Sequence, residues 1–161
     1  MKNSNIPKQV KETITILEKG GFEAYIVGGC VRDLLGDKEP KDWDVTTNAK
    51  PEEIQDLFEE TFYENDYGTV GVVTQEENID PRLKVIEITP YRLEAKYSNN
   101  RHPDSVTFSK DINDDLKRRD FTINAIAYNP KTKELVDLYG GQEDIKKNIR
   151  IRIKRITKKI S

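Results

Sequence analysis

The stretch Lys41-Asp42-Trp43-Asp44-Val45 alternates charged and apolar residues. Such alternation predicts a β-strand over residues 42–47, because successive side chains of a strand point to opposite faces. Asp42 and Asp44 then share one face, with their Cα atoms about 6.5 to 7 Å apart. Two like charges on one face repel each other unless a cation lies between them, and carboxylate oxygens suit Mg²⁺. An isolated Asp-X-Asp triplet is more often a pair of exposed strand or turn residues, so this one needs support from elsewhere in the chain.

A further acid interrupts the β-branched run Val85-Ile86-Glu87-Ile88-Thr89. In a strand, Glu87 points away from both isoleucines. Its plain interpretation is a solvent-facing position on a half-buried strand. If that strand lies beside the strand of Asp42 and Asp44, Glu87 completes a site of three carboxylates and can take the proton from an attacking hydroxyl. The sequence leaves both interpretations open.

A glycine pair, Gly28 and Gly29, lies between a strand-like run at residues 22–27 and a helical run. Backbone N–H groups at such a turn can approach phosphate oxygens, and the start of a helix adds positive potential. Arg32, one helical turn further on, can bind the same phosphates or form a salt bridge with Asp33. Taken alone, a glycine pair is common as a plain turn, and the salt bridge is the more frequent role of such an arginine.

The densest alternation of polar and apolar residues is Arg118-Arg119-Asp120-Phe121-Thr122-Ile123-Asn124-Ala125-Ile126-Ala127. It falls within residues 112–128, for which we predict a mainly helical structure. In a helix, Asp120 and Asn124 lie on one face at spacing i, i+4, and this face can bind a ribose and phosphates, with arginine making bidentate contacts. The alternative is that the aspartate and asparagine bond the local backbone while the arginines lie in solvent.

The remaining segments alternate between helical and strand patterns. The spacing of Val10, Ile14 and Leu17 predicts an amphipathic helix that begins near Pro7 and ends at Gly20. Further helices are predicted at residues 51–58 and 142–147, strands at 69–74, 83–89 and 134–138, and a polar loop at 97–104. The order β, α, β, α followed by more strands predicts an α+β fold with a mixed sheet and helices on it.

Composition limits the kinds of site that the chain can build. With 161 residues, 35% of them apolar and 35% charged, it has the size and make-up of one soluble globular domain. Cys30 and His102 are the only cysteine and histidine, which excludes an internal disulfide and a zinc site of the usual ligands. A metal site must therefore use oxygen ligands. No apolar run suits a membrane span or a signal peptide, so we expect a cytoplasmic protein without membrane contact.

The C-terminal segment differs from the rest in charge. Residues 146–161 hold eight of the 27 basic residues and none of the 29 acidic ones. This segment can contact RNA phosphates, although a solvated end with weak affinity for polyanions explains the charge equally well. Its isoleucines, at positions 149, 151, 153, 156 and 160, can form an apolar edge that needs a partner chain or a second copy in a homo-oligomer.

Five segments together resemble one known family. They are Gly28-Gly29-Cys30-Val31-Arg32-Asp33, Lys41-Asp42-Trp43-Asp44, Arg101-His102-Pro103, Asp115-Leu116-Lys117-Arg118-Arg119-Asp120-Phe121-Thr122-Ile123-Asn124-Ala125 and Asp137-Leu138-Tyr139-Gly140-Gly141. In this order they are similar to motifs of the bacterial tRNA nucleotidyltransferases (CCA-adding enzymes) and poly(A) polymerases, within the polymerase-β-like superfamily. The resemblance covers most of residues 20–148. It implies a polymerase-β-like head with a mixed, mostly antiparallel sheet flanked by helices.

The resemblance also implies a set of site residues. Asp42 and Asp44 would bind the catalytic Mg²⁺ ions, and Glu87 would be the third carboxylate. The nucleotide would be held by two groups of residues, Gly28, Gly29 and Arg32 at the triphosphate and Arg119, Asp120 and Asn124 at the phosphates and ribose. The loop at 97–104 would help to organise the site. The implied reaction is attack of an RNA 3′-hydroxyl, such as the end of a tRNA, on the α-phosphate of ATP or CTP, with release of pyrophosphate.

Members of this family continue into helical neck, body and tail domains, and the neck reads the base. These 161 residues do not contain such segments. We therefore expect a head domain at residues 1–148, a basic tail at 149–161, and base selection that is weak, lost or supplied by another chain. A non-catalytic nucleotide- or RNA-binding remnant and a subunit that needs a partner chain are the alternatives. The sequence alone does not distinguish CCA addition from the addition of adenosines, because the segments that select the base are not among these residues.

Overall fold

Five α-helices and seven β-strands form the described part of the chain, residues 1–93 and 106–153 of a computed structural model. The helices are α1 (Lys8–Lys19), α2 (Gly29–Leu35), α3 (Pro51–Leu57), α4 (Ile112–Lys117) and α5 (Gly141–Lys146). The strands are β1 (Ala24–Val27), β2 (Asp44–Thr47), β3 (Thr61–Tyr63), β4 (Val70–Val73), β5 (Val85–Pro90), β6 (Ile126–Tyr128) and β7 (Leu135–Asp137). The helices and strands predicted before residue 90 are present, with small shifts at their ends.

All seven strands join one sheet in the order β3-β4-β5-β2-β1-β6-β7. Neighbouring strands pair antiparallel except β2 and β5, which run parallel. The predicted mixed, mostly antiparallel sheet flanked by helices is therefore confirmed. β2 lies in the middle of the sheet, so its first residue, Asp44, is bordered by β5 and β1 rather than by an open edge.

The sheet separates two apolar clusters. The first contains residues of α1, α2 and α3 together with Val45 of β2 and Ile88 of β5. The second contains residues of β1, α4 and β6. Because side chains alternate between the two faces along a strand, Asp44 and Glu87 lie on the face opposite Val45 and Ile88. This face carries the candidate site.

Helix α1 forms as its sequence pattern predicts. Val10, Ile14 and Leu17 are buried, and the helix ends at Gly20. Their burial stabilises the fold by about 1.5 to 3 kcal/mol per side chain. The helix thus closes the first apolar cluster and leaves the other face of the sheet to the site. No helix within residues 1–93 and 106–153 combines the length and the apolar character that a membrane crossing requires.

The helix predicted over residues 112–128 is wrong beyond its first part. α4 ends at Lys117, and Thr122–Asn124 form a turn of 3-10 helix before β6 enters the sheet between β1 and β7. Tertiary contacts override the local pattern here: the Thr122 N–H donates to the carbonyl of Ile151 at 3.0 Å, and its hydroxyl donates to a buried aspartate of α5. All three β6 residues are buried. A short apolar run fits a buried strand as well as it fits a helix.

The sequence patterns give no prediction for β3, the edge strand of the sheet. Phe62 and Tyr63 in this strand are exposed, and the strand pairs with β4 alone. A methyl group on Gly71 of β4 would lie 2.5 Å from the ring of Phe62, so the glycine lets this ring approach the neighbouring strand closely. Since no apolar alternation marks an exposed edge strand of three residues, its pattern does not stand out.

The residues after α5 pack against the segment that precedes β6. The Ile153 N–H donates to the carbonyl of Asp120 at 3.0 Å. Ile153 is 2% exposed and belongs to the second apolar cluster, whereas Ile149 is 41% exposed. Ile153 is therefore part of the core and not of the predicted apolar edge. The isoleucines at 156 and 160 lie outside the described residues, as does the loop predicted at 97–104.

Candidate active site

Two of the three predicted acids lie side by side on neighbouring strands. β2 and β5 run parallel, and Asp44 is the register partner of Glu87. Both residues are half-buried, on the face opposite the first apolar cluster. The fold thus brings together two acids from separate stretches of the chain, which the sequence left open.

Asp42 lies just outside the strand. β2 begins at Asp44, so the prediction of a strand that includes Asp42 is wrong by two residues. Asp42 nevertheless lines the same cleft as Asp44. Burial is the main cause that raises the pKa of Asp44 above its usual value; Arg119 opposes this effect and the charge of Asp42 adds to it. The two aspartates are therefore close enough to repel each other.

Glu87 lies among other acids. Burial raises its pKa above the usual value, and the charges of Asp44, Glu64 and Asp42 raise it further. Carboxylates grouped in this way suit Mg²⁺, because they supply hard oxygen ligands and a bound cation relieves their repulsion. The donor chemistry of Asp42, Asp44 and Glu87 therefore fits Mg²⁺. Within residues 1–93 and 106–153, no three His, Cys, Asp or Glu side chains form a preassembled metal cluster.

The glycine turn connects β1 to α2 at the end of the sheet where β2 begins. Gly28 has φ 78° and ψ −133°, a conformation that residues with a side chain rarely adopt. Its N–H donates to the carbonyl of Ile126 at 3.3 Å, which ties the turn to β6. A methyl group at Gly28 would lie 3.2 Å from Nη1 of Arg119, and one at Gly29 would lie 3.4 Å from Nη2 of Arg32. Both predicted arginines therefore reach the turn.

Arg32 is fixed by two neighbours. Its Nε donates to Oδ1 of Asp33 at 3.1 Å, which is the salt bridge that the sequence allowed. Its Nη1 donates to Oδ1 of Asn124 at 2.9 Å, while Nη2 lies beside Gly29. The side chain is still 37% exposed, so a ligand can reach it. The salt bridge is confirmed, and the contact with phosphate stays a prediction.

Asp115 is a residue of this region that the sequence patterns did not single out as a site residue. Its side chain is 0% exposed and accepts from Nε of Arg118 at 3.0 Å and from Nη2 of Arg119 at 3.2 Å. Nε of Arg119 is buried and has no hydrogen-bond acceptor in the part of the chain that the structure describes. An acid three and four residues before two arginines is a sequence signal for such pairs on a helix.

Asp120 and Asn124 do not share a helical face. Asp120 is exposed in the turn after α4, and Asn124 ends the 3-10 turn with its side chain on Arg32. The predicted i, i+4 arrangement is wrong because the backbone between the two residues is not α-helical. A contact of Asp120 with the nucleotide stays a prediction.

A cleft of about 420 Å³ opens beside these residues, within the range of roughly 300 to 1,000 Å³ that is usual for small-molecule sites. It is lined by Gly29, Cys30, Arg32, Asp33, Lys38, Glu39, Lys41, Asp42 and Asp44. Lys38 and Lys41 add positive charge that the motifs did not assign to the site. With carboxylates and cationic side chains on its walls, the cleft can hold a divalent cation and a polyanion together.

Comparison with known proteins identifies the family. Residues 24–152 match the family described as Poly A polymerase head domain. The chain belongs to this family. Its mixed sheet and flanking helices are those of the polymerase-β-like head, as the resemblance of its motifs implied.

Several sequence relatives of this head domain are CCA-adding enzymes. That of Enterococcus faecalis is 42% identical over 149 residues, which are 90% of this chain and 35% of the relative. That of Lactobacillus helveticus is 47% identical over 134 residues, which are 83% of this chain and 32% of the relative. The chain therefore spans about a third of the length of the curated relatives that it matches.

Solved structures agree with these relatives. The Bacillus stearothermophilus CCA-adding enzyme in complex with CTP matches with a TM-score of 0.76 and 34% identity, over 91% of this chain and 33% of its own. A tRNA nucleotidyltransferase complexed with a primer tRNA and an incoming ATP analog matches with a TM-score of 0.62 and 30% identity, over 86% of this chain and 38% of its own. The match is thus with one part of longer chains.

Proposed function

We propose that this head domain transfers a nucleoside monophosphate from a nucleoside triphosphate to the 3′-hydroxyl of an RNA, with the 3′ end of tRNA as the natural acceptor. The pairing of Asp44 with Glu87 across β2 and β5 is the observation that carries the proposal, because Asp44 also lines the cleft that begins at Gly29 of the glycine turn. The substrate class is supported by relatives named CCA-adding enzymes and by solved relatives that hold CTP, or primer tRNA with an ATP analog. A tRNA acceptor makes the cytoplasm the proposed location.

The triphosphate binds at the glycine turn. The first N–H groups of α2 have no acceptor inside the helix and are available to phosphate oxygens. Arg32 and Arg119 each bring a guanidinium nitrogen to this turn, and their planar groups match phosphate oxygens in bidentate geometry. Asn124 acts by holding Arg32 in this orientation.

The carboxylates act on the attacking hydroxyl and the transferred phosphate. Asp42 and Asp44 hold Mg²⁺, which when bound neutralises the charge that develops on the phosphate. Glu87 accepts the proton of the RNA 3′-hydroxyl, since burial raises its pKa and makes it a better base than a free carboxylate. The oxygen then attacks the α-phosphate in line, and pyrophosphate leaves from the end that the arginines hold.

Discrimination between bases by this chain alone is weak in our proposal. The residues that line the cleft are mainly charged groups that address phosphates and a cation. ATP and CTP are therefore both substrates. The catalytic unit extends beyond residue 148, because Ile153 belongs to the second apolar cluster. The basic residues of the segment at 149–161 contact RNA phosphates.

The test is incorporation of each labelled nucleoside triphosphate into a tRNA that lacks its CCA end, with Mg²⁺ present. Asp44→Asn should lower incorporation at least about a hundredfold, because it weakens the electrostatic stabilisation of the reacting phosphate. Asp56→Asn is the matched control, since Asp56 is exposed on α3, away from the cleft. Incorporation that is absent, or unaffected by Asp44→Asn, would count against a transferase. Triphosphate binding without incorporation would instead favour a nucleotide-binding remnant.

A further inference from the structure

One buried carboxylate holds two consecutive arginines at the end of α4. Oδ1 of Asp115 accepts from Nε of Arg118 at 3.0 Å and forms a salt bridge with its Nη2 at 2.9 Å, and Oδ2 accepts from Nη2 of Arg119 at 3.2 Å. Asp115 is 0% exposed, whereas the two arginine side chains are 17% and 19% exposed. The acid is therefore shielded from solvent behind the cations that it binds.

The charges of this cluster do not cancel. One carboxylate faces two guanidinium groups, so the cluster carries a net positive charge on the site's side of α4. Burial lowers the pKa of Arg118 to about 10, an effect that Asp115 opposes and that the charges of Arg119 and Arg92 reinforce. Without Asp115, two adjacent cations would repel each other in a poorly solvated place. The acid is what allows Arg119 to stay there.

Arg119 extends from Asp115 to the glycine turn. Nη2 binds the acid, while Nη1 lies 3.2 Å from the position of a methyl group at Gly28, and the charge of Arg119 acts on Asp44. Its buried Nε finds no acceptor within residues 1–93 and 106–153. A buried guanidinium nitrogen without an acceptor is costly unless a ligand supplies one.

We propose that Asp115 is a positioning residue of the nucleotide site, which holds Nη2 of Arg119 and so fixes Nη1 beside Gly28, where it meets the triphosphate. The inference rests on the proposed function, because it needs a triphosphate at that turn. Asp115 acts through Arg119 and does not itself contact the substrate.

The test is a pair of double-mutant cycles, with the affinity for ATP and Mg²⁺ measured by calorimetry. Asp115→Asn should weaken ATP binding about tenfold, in line with the loss of one hydrogen bond between charged groups. In the Arg119→Gln background the same substitution should have almost no further effect, because its route to the ligand is already lost. In the Arg32→Gln background it should again cost about tenfold, since Arg32 is held by other residues.

The controls separate this role from a structural one. Asp114→Asn removes the same charge one residue away on α4 and should leave ATP affinity unchanged. If Asp115→Asn does not fold, Asp115→Glu and Arg119→Lys complete the same cycles. Additive effects of positions 115 and 119, or equal coupling of 115 to both arginines, overturn the inference alone. Failure of the unsubstituted chain to bind ATP overturns both the inference and the proposed function.

Discussion

The two sides of the candidate site are held in place by different interactions. On the carboxylate side, the backbone positions the groups: Asp44 and Glu87 are neighbours because β2 and β5 pair in parallel register. On the arginine side, side chains position the groups: Arg32 and Arg119 are held by hydrogen bonds from their own guanidinium nitrogens to polar neighbours. The strand pairing on the carboxylate side remains when a side chain is exchanged. On the arginine side, a guanidinium group loses its position when its hydrogen-bond partner is removed.

This difference separates stability from activity. Acids that repel each other contribute nothing favourable to folding in the absence of a cation, so exchanging one of them should harm the reaction and leave the fold intact. A buried ion pair that loses one partner leaves an unpaired charge in a poorly solvated place. Substitutions on the two sides should therefore change the free energy of unfolding by different amounts, even where they lower the activity equally.

The largest effect on stability is expected at Asp115. Asp115→Ala should lower the free energy of unfolding by about 3 to 5 kcal/mol, because it leaves two half-buried arginines without their acid. Urea denaturation measures this loss. Asp114→Ala, on the same helix with its carboxylate bound to Ser109, should cost about 1 kcal/mol. Equal losses for the two variants would remove the contrast between the two sides of the candidate site.

The next effect concerns Glu87, on the other side. Glu87→Gln should lower kcat/KM for addition to tRNA about a hundredfold, as expected for the loss of a general base. Its free energy of unfolding should be unchanged or slightly higher, because one member of a repelling group becomes neutral. Glu64→Gln is the control: this exposed acid also acts on Glu87, yet its loss should change kcat/KM little. A destabilisation by Glu87→Gln as large as that of Asp115→Ala would contradict the comparison.

The same contrast explains what the sequence could predict. Alternation along a strand is a local property, so the faces of Asp44 and Glu87 follow from their neighbours, although their pairing needs the strand order. The segment after α4 is set by distant contacts, such as the hydrogen bond of Thr122 to Ile151, and a helical pattern there is misleading. The role of Asp115 stayed hidden because burial of an acid cannot be deduced from the residue type.

The motifs of the family predicted more of the site than the periodicity of the residues did. The resemblance grouped Gly28, Arg32 and Arg119 in one site, and the fold does bring both arginines to the glycine turn. No periodic pattern could join residues so distant in the chain. The wrong helix over residues 112–128 did not affect this grouping, because motif matching does not depend on secondary structure.

A smaller effect on stability is expected at the glycine turn, which lies between the carboxylates and the arginines. Gly28→Ala should cost about 1 to 3 kcal/mol, since its φ of 78° strains a residue with a side chain. Gly29→Ala should change stability by about 1 kcal/mol at most, because Gly29 is already helical. Its new methyl group would lie 3.4 Å from Nη2 of Arg32, so ATP binding should still weaken. Thermal denaturation and calorimetry on both variants would show this split, and equal stability of the two would contradict it.

The smallest expected effect is a gain in stability at Asp44. The pKa of this acid is raised above its usual value of 3.8 by burial, so its ionised form disfavours the folded state. The cost is absent below pH 3.8, where the acid is protonated in both states, and grows as pH rises through the folded pKa. At pH 7, Asp44→Asn should therefore be more stable than the unsubstituted chain by about 1 kcal/mol or less, and the difference should vanish as the pH falls below 3.8.

Magnesium should make the unsubstituted chain more stable than Asp44→Asn, which is the reverse of their order without the cation. A cation that binds Asp42 and Asp44 in the folded state alone stabilises that state, by an amount that grows with the logarithm of its concentration relative to its dissociation constant. Mg²⁺ should therefore raise the melting temperature of the unsubstituted chain. Asp44→Asn should show a much smaller rise, because it lacks one of the two ligands. Thermal denaturation at pH 7 with and without Mg²⁺ compares the two proteins directly. All buffers are free of Ca²⁺, and the samples without Mg²⁺ contain added Na⁺ to match the ionic strength. An equal rise in both would mean that the repelling acids are relieved by general screening, and the backbone-positioned side would then not be a metal site.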